Sequence, residues 1–250
     1  MSGIGSGYDL SPGTYSPDGR VFQTEYAQKA VDNAGTMIGV KCRDGVVLGL
    51  EKLVPSKLLV PGSNKRIYHV DKHIGAAVVG LAPDGRQIVN DSVGEASNYK
   101  SVFGGPIPGA ILADRVANYM HLFNLYWSTR PFGAAVLYAV YDSDGPALYL
   151  VEPSGISQRY FGTAVGKGRQ AAKTEIEKLK MGELSCREAL VEVAKILHKV
   201  HDEDGKPFEL ELSWICEETD KEHRRISPEL VAEVERQAKA ALEESDMDED

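Results

Sequence analysis

Short apolar runs, joined in pairs by tight turn signals, constrain the fold of this chain more than any other feature. Residues 37–42 and 46–50 flank Arg43-Asp44-Gly45, and an Asp-Gly pair between apolar runs is typical of a β-hairpin. Residues 67–71 and 74–80 form a second pair of strands. Because the strands come in hairpins, and crossovers through a single helix are few, the pattern favours antiparallel sheets.

Helical spacing of apolar residues predicts six helices between and around the strands. They cover residues 20–33, 88–99, 111–127 and 169–180, and two more begin at Ser185 and Ser227. The stripe of the third helix includes Trp127 and is expected to face the core. Ser185 with Glu188 three positions later predicts a capping box. Phe22 and Tyr26 are expected to form an apolar face that the first helix leaves free for assembly.

The second half of the chain repeats the hairpin pattern. Strands are predicted at residues 133–141, 147–151, 156–161 and 208–215. The predicted fold class is therefore α+β, with antiparallel sheets covered by helices. Residues 1–242 are predicted to form one domain, in which residues 1–16 are a flexible tail. Residues 243–250, six of which are acidic, are predicted to be a disordered acidic tail.

Charge and composition exclude several classes of function. The net charge is −9 and the pI is about 5.3, which disfavours nucleic acid as a partner because that affinity comes mainly from Lys and Arg. The longest apolar run, residues 131–141, is too short to cross a bilayer, and residues 1–8 do not resemble a signal peptide. Three widely spaced cysteines are typical of free thiols in a reducing compartment, so we expect neither membrane nor secretion.

Metal and phosphate motifs are weak. Residues 162–168 resemble a P-loop, but the spacing between the glycines is one residue short and Gly168 replaces the expected Ser or Thr. The simpler interpretation is a turn that leads into a helix. His198 and His201 lie three residues apart on one predicted helix, without further ligands at readable spacing. We therefore expect no metal and no cofactor.

Thr36 is the one candidate nucleophile with a known precedent. An N-terminal threonine can attack a peptide bond when its own α-amine serves as the base. This chemistry requires cleavage after Gly35, whereas the preceding residues have the pattern of a well-formed helix. Without cleavage, Thr36 has no free amine.

Several runs in the chain resemble the proteasome α-type subunit family. The N-terminal match has about a dozen residues at fixed spacing and is highly specific, and the similarity continues along essentially the whole chain. The matching runs are residues 8–9, 15–23, 25–27, 35–36, 80–81, 130–133, 153–155 and 164–168. Residues 63–66, 171–178, 208–214 and the acidic end resemble the subgroup at the seventh α position of the eukaryotic ring.

The resemblance implies a four-layer α-β-β-α sandwich of two antiparallel sheets, like the Ntn hydrolases, with an extra N-terminal helix. It also implies that the chain is not itself a peptidase. The implied partners are other proteasome α subunits in a seven-membered ring, the proteasome β subunits, and regulatory particle ATPases or other activators. The implied work is ATP- and ubiquitin-dependent protein degradation in the cytoplasm and nucleus. A catalytic N-terminal-threonine hydrolase and a free-standing binding protein are the alternatives.

By register, the resemblance places Gly35 where a catalytic β-type subunit has its nucleophile. Glu51 lies where such a subunit has an orienting aspartate, and Lys65 or Arg66 lies near its lysine. A carboxylate and a cation are therefore retained, but the nucleophile is absent. The expected catalytic residues are none.

The resemblance also implies noncatalytic sites. A gate cluster is expected at Tyr8, Asp9, Pro17 and Tyr26, and a pocket for the C-terminal carboxylate of an activator is expected at Lys65, Arg66 and Gly80. Leu10 departs from the Arg that many α subunits have at this position, and Arg66 from the usual Lys. From the residues themselves, Ser245-Asp246-Met247-Asp248 is expected to be an acidophilic phosphorylation site.

Overall fold

The structure is a computed structural model that describes residues 7–201 and 207–248, with side chains as far as residue 244. The strands are β1 (Met37–Lys41), β2 (Gly45–Leu53), β3 (Ile67–Asp71), β4 (Ile74–Gly80), β5 (Ala134–Asp142), β6 (Gly145–Val151), β7 (Ser157–Tyr160), β8 (Gly162–Val165), β9 (Phe208–Cys216) and β10 (Arg224–Arg225). The helices are α1 (Phe22–Asp32), α2 (Ala82–Phe103), α3 (Gly109–Leu122), α4 (Arg169–Lys178), α5 (Cys186–Val200) and α6 (Pro228–Asp248), with a 3-10 turn at Glu217–Thr219.

Two five-stranded antiparallel sheets form the centre of the molecule. The strand order is β10-β9-β2-β1-β8 in one sheet and β3-β4-β5-β6-β7 in the other. The β1–β2 hairpin pairs Lys41 with Val46 across the Asp-Gly turn, and β2 then pairs along its whole length with β9. Alternating side chains of both sheets meet in an apolar layer that includes Met37, Leu48 and Leu137.

Helices cover the outer face of each sheet. α2 and α3 pack on the sheet that contains β5 through a cluster centred on Leu112 and Tyr138. α4, α5 and α6 pack on the other sheet through Leu190, Val193 and their neighbours. The layers are therefore helix, sheet, sheet and helix, and the predicted α+β four-layer sandwich with an N-terminal helix is confirmed.

Helix α5 begins as the sequence predicts. The Ser185 side chain accepts a hydrogen bond from the Glu188 amide, and the Glu188 carboxylate accepts one from the Ser185 amide at 2.8 Å. This reciprocal pair is the capping box, which satisfies two of the amides that a helix leaves unpaired at its start.

Two details differ from the sequence-based expectation. α3 ends at Leu122, and Trp127 is 86% exposed, so the predicted stripe stops before it reaches that residue. The chain after Leu122 forms turns instead, in which the Asn124 backbone amide donates to the His121 carbonyl and the Thr129 hydroxyl donates to the Phe123 carbonyl. Residues 162–165 form β8 against β1, so that segment is a strand before it turns.

The first and last helices also differ in part. Phe22 is 4% exposed and packs into the protein's own fold, so the apolar face predicted to be free for assembly is reduced to Tyr26. Helix α6 continues to Asp248, through residues that were predicted to be disordered. The segment is rich in Glu, Ala and Leu, which have high helix propensity and extend a helix already anchored by Val234 and Ala238.

Candidate functional site

The first candidate site lies at the connection between α1 and β1. Thr36 and Glu51 pair across the β1–β2 ladder, since the Glu51 amide donates to the Thr36 carbonyl at 2.8 Å. The Glu51 carboxylate in turn accepts the Thr36 amide at 2.8 Å. A Cβ atom on Gly35 would lie 2.2 Å from the Glu51 carbonyl oxygen, so the backbone leaves no room there for a side chain.

Glu51 is buried and holds a second partner from the far end of the chain. Its Oε1 lies 2.6 Å from Nδ1 of His201, which follows α5. The Thr36 hydroxyl accepts the Gly168 amide at 3.1 Å. A cavity of about 380 Å³ opens beside these groups. The arrangement therefore has a carboxylate and an imidazole, but position 35 has no hydroxyl and the nitrogen of Thr36 is a peptide amide that cannot act as a base.

The predicted pocket cation lies on the other side of Glu51. Arg66 donates from Nη1 to the Gly80 carbonyl at 3.1 Å, and both residues line a cavity of about 290 Å³. Burial lowers the pKa of the Arg66 guanidinium. The backbone amide of Arg66 donates to the Glu211 carboxylate at 3.0 Å. The structure thus brings Arg66 and Gly80 together, whereas Lys65 is exposed and does not line this cavity.

Lys52 is a buried cation at this cavity that sequence reasoning missed. Its ammonium donates to the Ser63 carbonyl at 2.7 Å and lies 2.5 Å from the Glu209 carboxylate. The hydrogen bond from the Lys52 ammonium to the Glu209 carboxylate holds the pKa of Glu209 below its usual value. A lysine directly after Glu51 in an otherwise apolar strand is the signal that could have indicated a buried ion pair.

The predicted gate residues are partly brought together. The Tyr26 hydroxyl donates to the Asp9 carboxylate at 3.2 Å, and the side-chain amide of Gln23 donates to the Asp9 backbone carbonyl. Pro17 occupies the second position of a turn closed by the Gly19 amide and the Ser16 carbonyl at 2.9 Å. Tyr8 is exposed beside this cluster. Gln23 is the residue that sequence reasoning missed, while residues 1–6 of the predicted tail lie outside the described residues.

The remaining candidate residues from the sequence do not form a common site in the fold, or they lie outside the described residues. His198 faces Glu235 at 3.4 Å while His201 faces Glu51, so the two imidazoles serve different carboxylates. Within residues 7–201 and 207–248, no three His, Cys, Asp or Glu residues are arranged to hold a metal ion. The P-loop-like turn is bound to the Thr36 hydroxyl through Gly168. The Ser245 side chain lies outside the described part of the chain.

No helix in the described ranges combines the length and apolarity that crossing a bilayer requires.

Comparison with known proteins covers nearly the whole chain. A family model described as "Proteasome subunit" matches residues 31–215, and a second model, for the N-terminal signature of the A-type proteasome subunits, matches residues 8–30. The "Proteasome subunit alpha type-3" of Spinacia oleracea is 62% identical over 249 residues, covering 99% of this chain and 100% of the relative. The protein of the same name from Arabidopsis thaliana is 59% identical with the same coverage. That of Drosophila melanogaster is 44% identical over 250 residues, covering 99% and 98% of the two chains.

Proposed function

The chain belongs to the proteasome subunit family, among its α-type members, and from this premise we propose that it is a noncatalytic subunit that supports assembly, gates the entry pore and docks activators. The observation that carries the absence of catalysis is Gly35, which has no hydroxyl and no space for one beside the Glu51 carbonyl. The remaining carboxylate accepts an amide that belongs to the backbone. Without a nucleophile, the mechanism of a threonine peptidase has no first step.

Peptidase assays on the purified chain test this part of the proposal. We expect no hydrolysis of fluorogenic peptides, and no change on Thr36→Ala. Turnover that is lost in Thr36→Ala would contradict it. Sequencing of the mature N-terminus separates the two classes, because a chain that begins at Thr36 would have the free amine that catalysis needs.

The scaffold role is supported by large apolar side chains that the subunit leaves in solvent. Leu58 and Val60 are 95% and 73% exposed in the loop between β2 and β3. Leu125, Tyr126 and Trp127 form a second exposed run after α3. Exposed apolar patches of this kind mark interaction surfaces, and closed rings need such heterologous contacts. The proposed partners are other α subunits in a seven-membered ring and the β subunits.

Co-expression with the other core subunits tests this role. Trp127→Ser is expected to reduce incorporation without unfolding the chain, because the side chain makes little contact with its own core. Phe22→Asp is unsuitable as a test because Phe22 is buried. Normal yields of assembled particle from both Trp127→Ser and Leu58→Ser would contradict the assignment of these surfaces.

The gate is proposed at the N-terminal segment held by Asp9. The contacts of Asp9 with Tyr26 and Gln23 hold this segment against α1. Deletion of residues 2–7 in the assembled particle is expected to raise the basal rate of small-peptide hydrolysis. Tyr26→Phe removes the hydroxyl contact alone and is expected to change the response to an activator, while Tyr15→Phe on an exposed ring serves as the matched control. Unchanged basal rate and activator response would refute a gating role for this chain.

The docking site is proposed at the cavity lined by Arg66 and Gly80. Arg66 is a cation whose guanidinium can donate two hydrogen bonds to one carboxylate. One of its N–H groups already donates to the Gly80 carbonyl. We expect Arg66→Ala to weaken binding of an activator peptide that ends in a free carboxylate. Lys65→Ala tests the neighbouring exposed cation, and Lys72→Ala, an exposed lysine on the far turn of β3, is the control. Equal affinity in all variants would contradict the docking site.

Two further parts of the proposal concern the cellular context. We propose that the subunit works in ATP- and ubiquitin-dependent degradation in the cytoplasm and nucleus, which imaging of a fluorescent fusion and co-purification with ubiquitin conjugates would test. We also propose that Ser245 is phosphorylated by an acidophilic kinase, since acidic residues follow it at positions 246 and 248. Intact-mass analysis of cell-derived protein tests this, and a mass without phosphate would count against it.

A further inference from the structure

Three cysteines that lie far apart in the sequence meet at one end of the first sheet. Cys42 directly follows β1 in the β1–β2 turn, and its amide donates to the Gly45 carbonyl at 2.8 Å. Gly45 pairs in register with Cys216, the last residue of β9. Cys186 is the first residue of α5, and its amide donates to the carboxylate of Asp44 in the same turn at 2.8 Å. All three side chains are free thiols and buried.

The turn between β1 and β2 is what holds the three together. The Asp44 carboxylate accepts the backbone amide of Cys186 at the start of α5, and the Asp44 carbonyl accepts the Glu217 amide at 3.1 Å. A Cβ atom on Gly45 would lie 2.6 Å from the Cβ of Cys216, so the strand can approach this closely because residue 45 is glycine. All three side chains consequently belong to the same buried cluster.

Cys216 sits in a setting that stabilises a thiolate. Cys216 lies directly before the 3-10 turn, and its sulfur accepts the backbone amide of Thr219, the last residue of that turn. The neighbouring Cys186 thiol, together with these backbone donors, lowers the pKa of Cys216, and the same neighbourhood raises the pKa of Cys186. This setting favours the thiolate at Cys216 and the protonated thiol at Cys186.

We propose that Cys216 and Cys186 form a peroxide-sensitive dithiol, in which Cys216 is the reacting thiolate and Cys186 is the resolving thiol. The Cys216 sulfur attacks one oxygen of hydrogen peroxide, so an S–O bond forms, the O–O bond breaks, and the hydroxide released takes up a proton as water. The Cys186 sulfur then attacks the Cys216 sulfur, and the second hydroxide leaves as water with the Cys186 proton. The cysteine pair is oxidised by two electrons to a disulfide, and one peroxide is reduced to two waters.

In this proposal, access to the pair depends on a surface ion pair between residues that follow the two cysteines. Arg187 directly follows Cys186, and Glu218 lies two residues after Cys216. The Arg187 guanidinium lies 2.5 Å from the Glu218 carboxylate. Both of these side chains are mostly exposed, while the thiols are buried. A small neutral oxidant such as peroxide reaches the sulfurs when this contact opens, whereas a bulky disulfide reagent does not. The dithiol is thus expected to react slowly and selectively.

Peptide mapping of the full-length wild-type chain tests the proposal directly. The chain is treated with hydrogen peroxide at pH 7, alkylated under denaturing conditions and digested. We expect a Cys186–Cys216 disulfide, with Cys42 recovered in alkylated form. Recovery of all three cysteines as free thiols, of Cys216 as sulfinic acid in the wild type, or of a Cys42–Cys186 disulfide would overturn it. The wild-type result does not depend on any variant that could misfold.

Variants then distinguish the roles of the three cysteines. Cys186→Ser is expected to leave Cys216 as a sulfenic acid that dimedone traps, and Cys42→Ser is expected to form the same disulfide as the wild type. Glu218→Gln, which breaks the ion pair, is expected to raise the oxidation rate severalfold. Glu183→Gln removes an exposed carboxylate that pairs with Lys180 and not with Arg187, and is the matched control. Dimedone labelling of Cys42 in place of Cys216, or equal rates in Glu218→Gln and the wild type, would count against the assignment.

Discussion

Lowering the pH from 7 to 5 is expected to destabilise this protein through one buried histidine. His223 is 4% exposed and lies against Gly75, where a Cβ atom would be 2.1 Å from the imidazole carbon Cδ2. Its Nδ1 lies 2.9 Å from Nδ1 of His69, a contact that needs one nitrogen to donate and the other to accept. Its Nε2 is buried without a hydrogen-bond partner among the described residues. A proton added to this ring therefore has no acceptor.

The structure also determines the sign and size of the effect. Burial, the nearby His69 and the Arg225 guanidinium lower the pKa of His223 from 6.5 to about 3. A depressed histidine pKa means that the neutral form is favoured in the folded state, so the stability is fully present above pH 6.5 and is lost as the pH falls towards 3. Two-state proton linkage with these pKa values gives a loss of about 2 kcal/mol between pH 7 and pH 5. Local rearrangement around the ring would make the loss smaller.

Urea unfolding of the isolated full-length chain at both pH values measures this loss. The matched variant is His223→Gln, which keeps hydrogen-bonding groups but does not titrate in this range. Asp91 acts in the opposite direction, because burial raises its pKa to about 6 and favours its protonated form in the folded state. Since Asp91 is present in both proteins, its contribution cancels in the difference between wild type and variant.

The reasoning is refuted if the free energy of unfolding falls equally in both proteins between pH 7 and pH 5. NMR titration of the His223 ring gives an independent readout when the variant does not fold. The ring resonance is expected to remain that of neutral imidazole down to pH 5. A midpoint above pH 5 would show that the burial of the ring has less effect than the structure indicates.

Three substitutions test other parts of the fold by urea unfolding at neutral pH. Ser185→Ala removes the capping box of α5 and is expected to cost about 1 kcal/mol; no loss of stability would contradict the cap's contribution. Ser92→Ala leaves the fully buried Tyr138 hydroxyl without its partner at 2.6 Å and is expected to cost about 1–3 kcal/mol, and adding Tyr138→Phe is expected to recover part of that loss. Gly35→Ala forces a Cβ against the Glu51 carbonyl and is expected to cost about 1–3 kcal/mol; a variant as stable as the wild type would show that the backbone there yields easily.

Local signals in the sequence were sufficient for most of the secondary structure. The predicted strands at residues 67–71 and 74–80 have the bounds of β3 and β4, and the α5 capping box forms as expected. These features depend on side-chain alternation and on cap and turn chemistry between residues a few positions apart. The specific N-terminal run likewise identified the family, because a dozen residues at fixed spacing rarely coincide by chance.

The tertiary structure decided which distant residues meet. β8 was missed because its four residues become a strand through pairing with β1, far away in the sequence. Arg66 lies against Gly80 while Lys65 is exposed to solvent, and Lys52 lines the same cavity, where it pairs with Glu209 of β9. The three cysteines looked unrelated by spacing and lie in one cluster, because the register of β2 with β9 and the docking of α5 place them there. Such contacts depend on how the layers stack, and periodicity along a single segment carries no information about that.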